Sequence, residues 1–307
     1  MKHFKKFILI TAIISLVGCK SKTEDKTTSK LKVVTTTTMI TDMVEHIGGD
    51  KIEVQGLMGS GVDPHLYKAS EGDVSKLSEA DVVIYNGLHL EGKLEEIFKK
   101  MQASKKDVIA VADAIDVAQF IRSENFASSY DPHIWFQIDY WIACTRFTAT
   151  KLSKIDKVNA ETYSANAETY IKELKALKGE NEKLIVSLPK EKRILITAHD
   201  AFNYFGKAYD FEVVGLQGLS TATEAGVKDV QNLANLIIEK EVKAIFVETS
   251  VPKRTIEALQ AAVKAKDHEV AIGGELFSDA LGTKNTPEAT YVGMYKHNIS
   301  TIVNALK

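Results

Sequence analysis

Apolar positions along this chain switch repeatedly between two periods. β-Branched or apolar runs at Lys32–Thr37, Glu53–Met58, Val82–Tyr85 and Val108–Val111 read as short strands. Between the first two, Met39, Ile40, Met43, Val44 and Ile47 take the spacing of an amphipathic helix, which Gly48-Gly49 stops. A turn-rich loop, Gly59-Ser60-Gly61-Val62-Asp63-Pro64, follows the second strand. From His133 to Lys178 the chain has no Gly and no Pro, and Tyr163–Lys178 is dense in Ala, Glu, Lys and Leu. This middle is predicted to form two or more helices, the last one long, ending near Gly179 and Pro189. The alternation then resumes, with strands at Arg193–Thr197, Phe211–Val214, Ala244–Val247 and Glu269–Ile272. Helices are predicted over Asp200–Tyr209, around Val227–Ile237, over Arg254–Val263 and over Tyr291–Leu306. Strands alternating with helices imply βαβ units. The expected class is α/β: two lobes with mainly parallel sheets, joined by a single long rigid helix.

The first residues follow another pattern. Lys2, Lys5 and Lys6 precede an apolar run, Phe7–Val17, of signal-peptide length. The run ends in Leu16-Val17-Gly18-Cys19, which resembles a bacterial lipobox, so lipidation at Cys19 is expected. The expected divisions are 1–18 signal peptide, 19–30 flexible tether, 31–155 N-terminal lobe, 156–188 linking helix and 189–307 C-terminal lobe. Removing the three signal lysines takes the formal charge from −2 to −5, and no basic patch argues for nucleic acid. With Cys19 lipidated, Cys144 stands alone in an apolar stretch and reads as a buried, inert thiol. A metal site would therefore draw on His and carboxylates.

Four such residues occupy equivalent places. His65 follows the Gly/Pro loop, His133 follows Asp131-Pro132, His199 follows a strand, and Asp279 lies just past another. Ligands of open α/β sheets bind outside the carboxyl ends of the strands. Two of the four come from each half, so they could meet in the interlobe cleft. Three His and one Asp would give zinc a four-coordinate N3O site, and a bidentate Asp would suit manganese. Separations of 68, 66 and 80 residues form no local motif. His46, His89, His268 and His297 read as ordinary.

The contexts of these residues carry a resemblance. Val62-Asp63-Pro64-His65-Leu66-Tyr67, Asp131-Pro132-His133-Ile134-Trp135, Ala198-His199-Asp200-Ala201-Phe202 and Gly273-Gly274-Glu275-Leu276-Phe277-Ser278-Asp279 resemble, in order, the ligand segments of one family. It is the zinc/manganese solute-binding lipoproteins of ABC transporters, the TroA-like cluster A-I receptors. The resemblance runs from about Leu31 to the C-terminus. It implies a monomeric, exported receptor, lipid-anchored to the cell membrane and facing the periplasm or exterior. It also implies a membrane permease as partner and Zn2+ or Mn2+ as transported ligand. The implied ligands are His65, His133, His199 and Asp279, with Glu248 and Glu275 as carboxylates that could orient imidazoles. One departure is Gln137, where the family usually has Asp or Asn. Zinc-dedicated members often carry a His-rich loop, absent here; manganese-dedicated members often have Glu at the place of His199. Three nitrogen donors favour zinc. A manganese-dedicated receptor, a surface adhesin of the same family and a siderophore-type binder are alternatives. A zinc hydrolase is the remote one: catalytic zinc keeps a position open, which a fourth ligand closes, and no His-Glu-x-x-His segment is present.

Overall fold

The computed structural model describes residues 30–124 and 126–307. The signal segment, Cys19 and the tether up to Ser29 lie outside the described residues. In the N-terminal lobe, β1 (Leu31–Thr35), β2 (Ile52–Gly56), β3 (Val82–Tyr85) and β4 (Asp107–Ala110) form a parallel sheet in the order β2-β1-β3-β4. Helices α1 (Thr38–Gly48), α2 (Glu71–Glu79) and α3 (Glu95–Ala103) make the crossovers. Val33, Val34, Val82, Val83 and Ile84 are all buried. A parallel sheet covered on both faces accounts for their unbroken apolar runs. Apolar periodicity does not announce α2, in which Leu77 is the one buried apolar residue. Its start is set by a capping box instead: Ser70 Oγ accepts from Asp73 N at 3.2 Å, and Asp73 Oδ2 accepts from Ser70 N at 3.0 Å.

The helical middle comprises α4 (Ile138–Ile155) and α5 (Ala160–Val186), packed against each other. With 27 residues, α5 is about 40 Å long. Gly179, expected near its end, lies inside it. A helical Gly costs about 1 kcal/mol, and burial of Leu174, Leu177 and Ile185 on either side offsets that cost.

In the C-terminal lobe, β5 (Ile194–His199) pairs in parallel with β6 (Glu212–Gln217), and β7 (Ala244–Glu248) with β8 (Ala271–Leu276). Strand β5 also runs beside β7. Helices α6 (Asn203–Tyr209), α7 (Val227–Glu239), α8 (Arg254–Lys264) and α9 (Tyr291–Leu306) surround them. Strand β8 begins and ends later than its apolar run predicts. It continues through Gly273-Gly274, where a Cβ on Gly273 would stand 2.8 Å from the Phe246 ring. The helix expected from Asp200 begins only at Asn203, and His199 is the last residue of β5 rather than the first after it.

One apolar core runs through both lobes and α5, from Val33 through Trp135 and Tyr170 to Tyr291. Polar ties reinforce it. Tyr291 Oη donates to Trp135 O at 2.6 Å, and Tyr295 Oη to Phe136 O at 2.7 Å. Asp42 Oδ2 on α1 accepts from Tyr170 Oη on α5 at 3.1 Å and from the Tyr291 N–H of α9 at 3.3 Å. Breaking these contacts would expose apolar surface and orphan buried polar groups, so large hinge opening is disfavoured. Cys144 is buried, donates to Val111 O at 3.3 Å, and has a thiol pKa pushed up by burial. Burial and the raised pKa both disfavour the reactive thiolate, in keeping with its apolar setting.

Candidate metal centre

Strand polarity delivers the candidate residues to one place. His65 follows β2, His133 follows the segment after β4, His199 ends β5, and Asp279 follows β8. All four are buried, and one ligand atom from each lies within 4.8 Å of the others. His65 Nε2 is 3.3 Å from His133 Nε2, and His199 Nε2 is 3.3 Å from Asp279 Oδ2. Asp279 Oδ1 is 3.6 Å from His133 Nε2, and its Oδ2 is 3.8 Å from His65 Nε2. A tetrahedral zinc with bonds near 2.0–2.1 Å sets its donors about 3.3 Å apart. The cluster is therefore close to the size of such a polyhedron. His199 Nε2 and both Asp279 carboxylate oxygens are buried without a hydrogen-bond partner. Buried polar atoms normally have partners, so these three are set up for a cation.

Two of the imidazoles are fixed from behind. Glu248, the last residue of β7, accepts from His199 N at 2.8 Å and pairs with His199 Nδ1 at 2.6 Å. Asp131 Oδ1 accepts from His133 N at 2.9 Å and pairs with His133 Nδ1 at 2.7 Å. Both contacts leave Nε2 to face the centre, the usual role of a carboxylate behind a metal-binding His. The sequence signal for Asp131 was an Asp-Pro-His triplet occurring twice, at residues 63–65 and 131–133. Glu275 differs from expectation. Its side chain is 41% exposed and pairs with Lys253 at 2.9 Å, away from any of the three imidazoles. In β8 it immediately precedes the fully buried Leu276, and successive strand residues point to opposite faces of the sheet.

Other groups hold the loops. Asn86 Nδ2 donates to Pro132 O at 2.9 Å, immediately before His133. Glu91, buried and with its pKa raised by burial, accepts from Asn86 N and Thr36 Oγ1, each at 2.7 Å. The remaining described His lie outside the cluster. His46 contacts Asp42 O at 2.8 Å, His89 pairs with Glu95 at 2.6 Å, and His297 contacts Glu275 O at 2.9 Å.

His65 and His199 shift in opposite directions. Burial lowers the His65 pKa to about 3, against the pull of Asp279, so His65 is neutral at pH 7. Burial also opposes charge on His199, but Glu248 and Asp279 together outweigh it and hold its pKa well above 6.5. The three imidazoles hold Asp279 below the usual carboxylate range despite its burial. In the metal-free centre Glu248 and Asp279 thus favour the form of His199 with a proton on both ring nitrogens. For His199 the folded pKa is raised. Its contribution to stability is full below 6.5 and fades as pH rises through the folded value. A metal must displace the Nε2 proton. Uptake at pH 7 is expected to release about one proton per ion, read by calorimetry in buffers of differing ionisation enthalpy. Glu248→Gln should release fewer and bind about 10–100-fold more weakly. Unchanged release in that variant would remove His199 as the source.

Comparison with known proteins gives a consistent match. A family model described as ZnuA, "Zinc-uptake complex component A periplasmic", matches residues 33–305. The manganese-binding lipoprotein MntA of Bacillus subtilis is 46% identical over 300 residues, covering 97% of each chain. The zinc-binding protein TroA of Treponema pallidum is 45% identical, over 97% of this chain and 95% of its own. The solved structure of that periplasmic zinc-binding protein superposes with a TM-score of 0.88 at 47% identity, covering 90% of this chain and 99% of its own.

Proposed function

Starting from the fact that the chain belongs to the zinc-uptake complex component A family of metal ABC transporter receptors, we propose that it captures Zn2+ with His65, His133, His199 and Asp279 and hands it to a membrane permease. The observation that carries this reading is the buried cluster, with ligand atoms within 4.8 Å of one another and three of its polar atoms unpartnered. Three imidazole nitrogens and one carboxylate suit zinc, and manganese sits at the weak end of the divalent affinity order. All four donors come from one chain, so a monomer suffices. Four protein donors leave no position of the kind a catalytic zinc reserves for water. The reading is capture and release without bond-making chemistry.

Manganese is the second reading. Both oxygens of Asp279 are unpartnered, and a bidentate carboxylate would give five donors. The two named relatives, one zinc-binding and one manganese-binding, are 45% and 46% identical and do not separate the readings. The test is metal analysis of the purified protein followed by competition. Bound zinc should resist about a hundredfold excess of manganese. Absence of bound metal would overturn the receptor reading, and displacement of zinc by equimolar manganese would select the second one.

Attachment to the membrane through a lipid on Cys19 completes the proposal. Among the described residues no helix is long and apolar enough to cross a membrane. A Cys19→Ser chain should move from the membrane fraction to the soluble one, and its retention would remove the lipid anchor.

A further inference from the structure

The two Asp-Pro-His turns are built alike but tied differently. In each, one oxygen of the Asp accepts from the backbone N–H of its own His, at 2.8 Å for Asp63 and 2.9 Å for Asp131. In each, the other oxygen reaches a side chain of the C-terminal lobe. Asp131 Oδ2 accepts from Asn203 Nδ2 at 3.1 Å, and Tyr204 Oη adds a bond to Asp131 O at 3.0 Å. Asp63 Oδ2 accepts from Thr221 Oγ1 at 2.5 Å.

The difference lies in what else holds the imidazole. Asp131 also pairs with His133 Nδ1, and Glu248 does the same for His199. Among the described residues no carboxylate pairs with His65 Nδ1. His65 is carried by a rim segment whose neighbours Gly59, Ser60 and Gly61 are exposed, with Leu66 49% exposed. Thr221 belongs to the irregular stretch between β6 and α7, half-buried against that rim. Of the three imidazoles, His65 is the one with no carboxylate paired to its Nδ1, and its turn is tied across the lobes by a hydroxyl.

We propose that the Thr221–Asp63 hydrogen bond positions His65 and sets the rate at which bound metal leaves. The proposal rests on the metal-receptor reading above. The large core shared by both lobes resists hinge opening, which leaves a loop movement as the route out. A swing of the rim segment that takes His65 off the metal must part Asp63 from Thr221. A hydrogen bond to a charged acceptor resists that parting more than a neutral one. A partner that competes for the Thr221 hydroxyl would release the His65 turn without disturbing His133 or His199. Thr221 is thereby a positioning residue, acting through Asp63.

The test is chelator-trapped release of Zn2+ by stopped flow from wild type, Thr221→Val and Thr221→Ser. Release from Thr221→Val should be about tenfold faster, with association not slowed. Thr221→Ser, which restores the hydroxyl, should return to the wild-type rate. A general structural defect would instead lower the melting temperature of the metal-free protein and slow association. Release from Thr221→Val within twofold of wild type overturns the proposal, as does Thr221→Ser releasing as fast as Thr221→Val. Wild-type protein that binds no Zn2+ fails the receptor reading itself. Zinc bound with unaltered release fails the clasp alone.

Discussion

Asp279→Ala is expected to weaken zinc binding by about two orders of magnitude or more. A structural zinc site is worth roughly 10–16 kcal/mol, so one of four donors carries on the order of 3 kcal/mol, about a hundredfold in Kd. Asp279 should stand at or above that share. It is the only anion among the four donors, and His65, His133 and His199 all face it within 3.8 Å. Its removal leaves three imidazoles and no anionic donor for the metal. Competition with a chromophoric chelator at pH 7 measures the loss. An affinity within threefold of wild type would show that the metal sits elsewhere. The substitution also removes one of the two carboxylates that hold the proton on His199. The variant should therefore release fewer protons on whatever metal it still binds.

The second large effect concerns stability. Trp135 is almost fully buried, its ring 5.2 Å from that of His133. Its Nε1–H donates to Ser278 O at 3.0 Å, and its carbonyl accepts from Tyr291 Oη. It joins the His133 turn to the loop that carries Asp279 and to α9. Trp135→Ala removes one of the two tryptophans of the shared core and orphans the Ser278 carbonyl. The cost should be about 3–5 kcal/mol, lowering the melting temperature of the metal-free protein by roughly 10 °C. A shift under about 3 °C would mean that the lobes are not held together through this residue. The metal should stabilise this variant less than wild type, because the same residue sets Ser278 beside Asp279.

Both predictions depend on residues that differ in how visible they were beforehand. Asp279 stood out as a carboxylate just past a strand. Trp135 was visible only as part of a likeness to a family segment, and nothing in its neighbourhood announced that it spans the lobes. The Asp-Pro-His repeat falls between these cases. Both turns are written in the chain, yet only their tertiary partners make Asp131 a clamp on an imidazole and Asp63 a link to Thr221. Helix α2 was hidden because its surface is charged and a cap, not an apolar stripe, starts it. The run-through at Gly179 was hidden because packing of α5 outweighs the local preference of one residue.

The alternation of strands and helices, the long middle helix and the choice of four candidate ligands near strand ends can all be read from the chain's local pattern. These follow from short-range physics, namely side-chain periodicity, turn chemistry and the polarity of a parallel sheet. It takes the tertiary structure to bring His65, His133, His199 and Asp279, separated by 68, 66 and 80 residues, into one buried cluster. The tertiary structure also decides which carboxylates stand behind them. Glu248 and Glu275 look alike in the sequence, each at a strand end. The neighbouring position of β5 and β7 sets Glu248 against His199, while the two-residue period of β8 gives the buried place to Leu276 and turns Glu275 to Lys253. Which face a strand-end residue takes depends on register against a neighbour far away in the chain, and no local pattern encodes that.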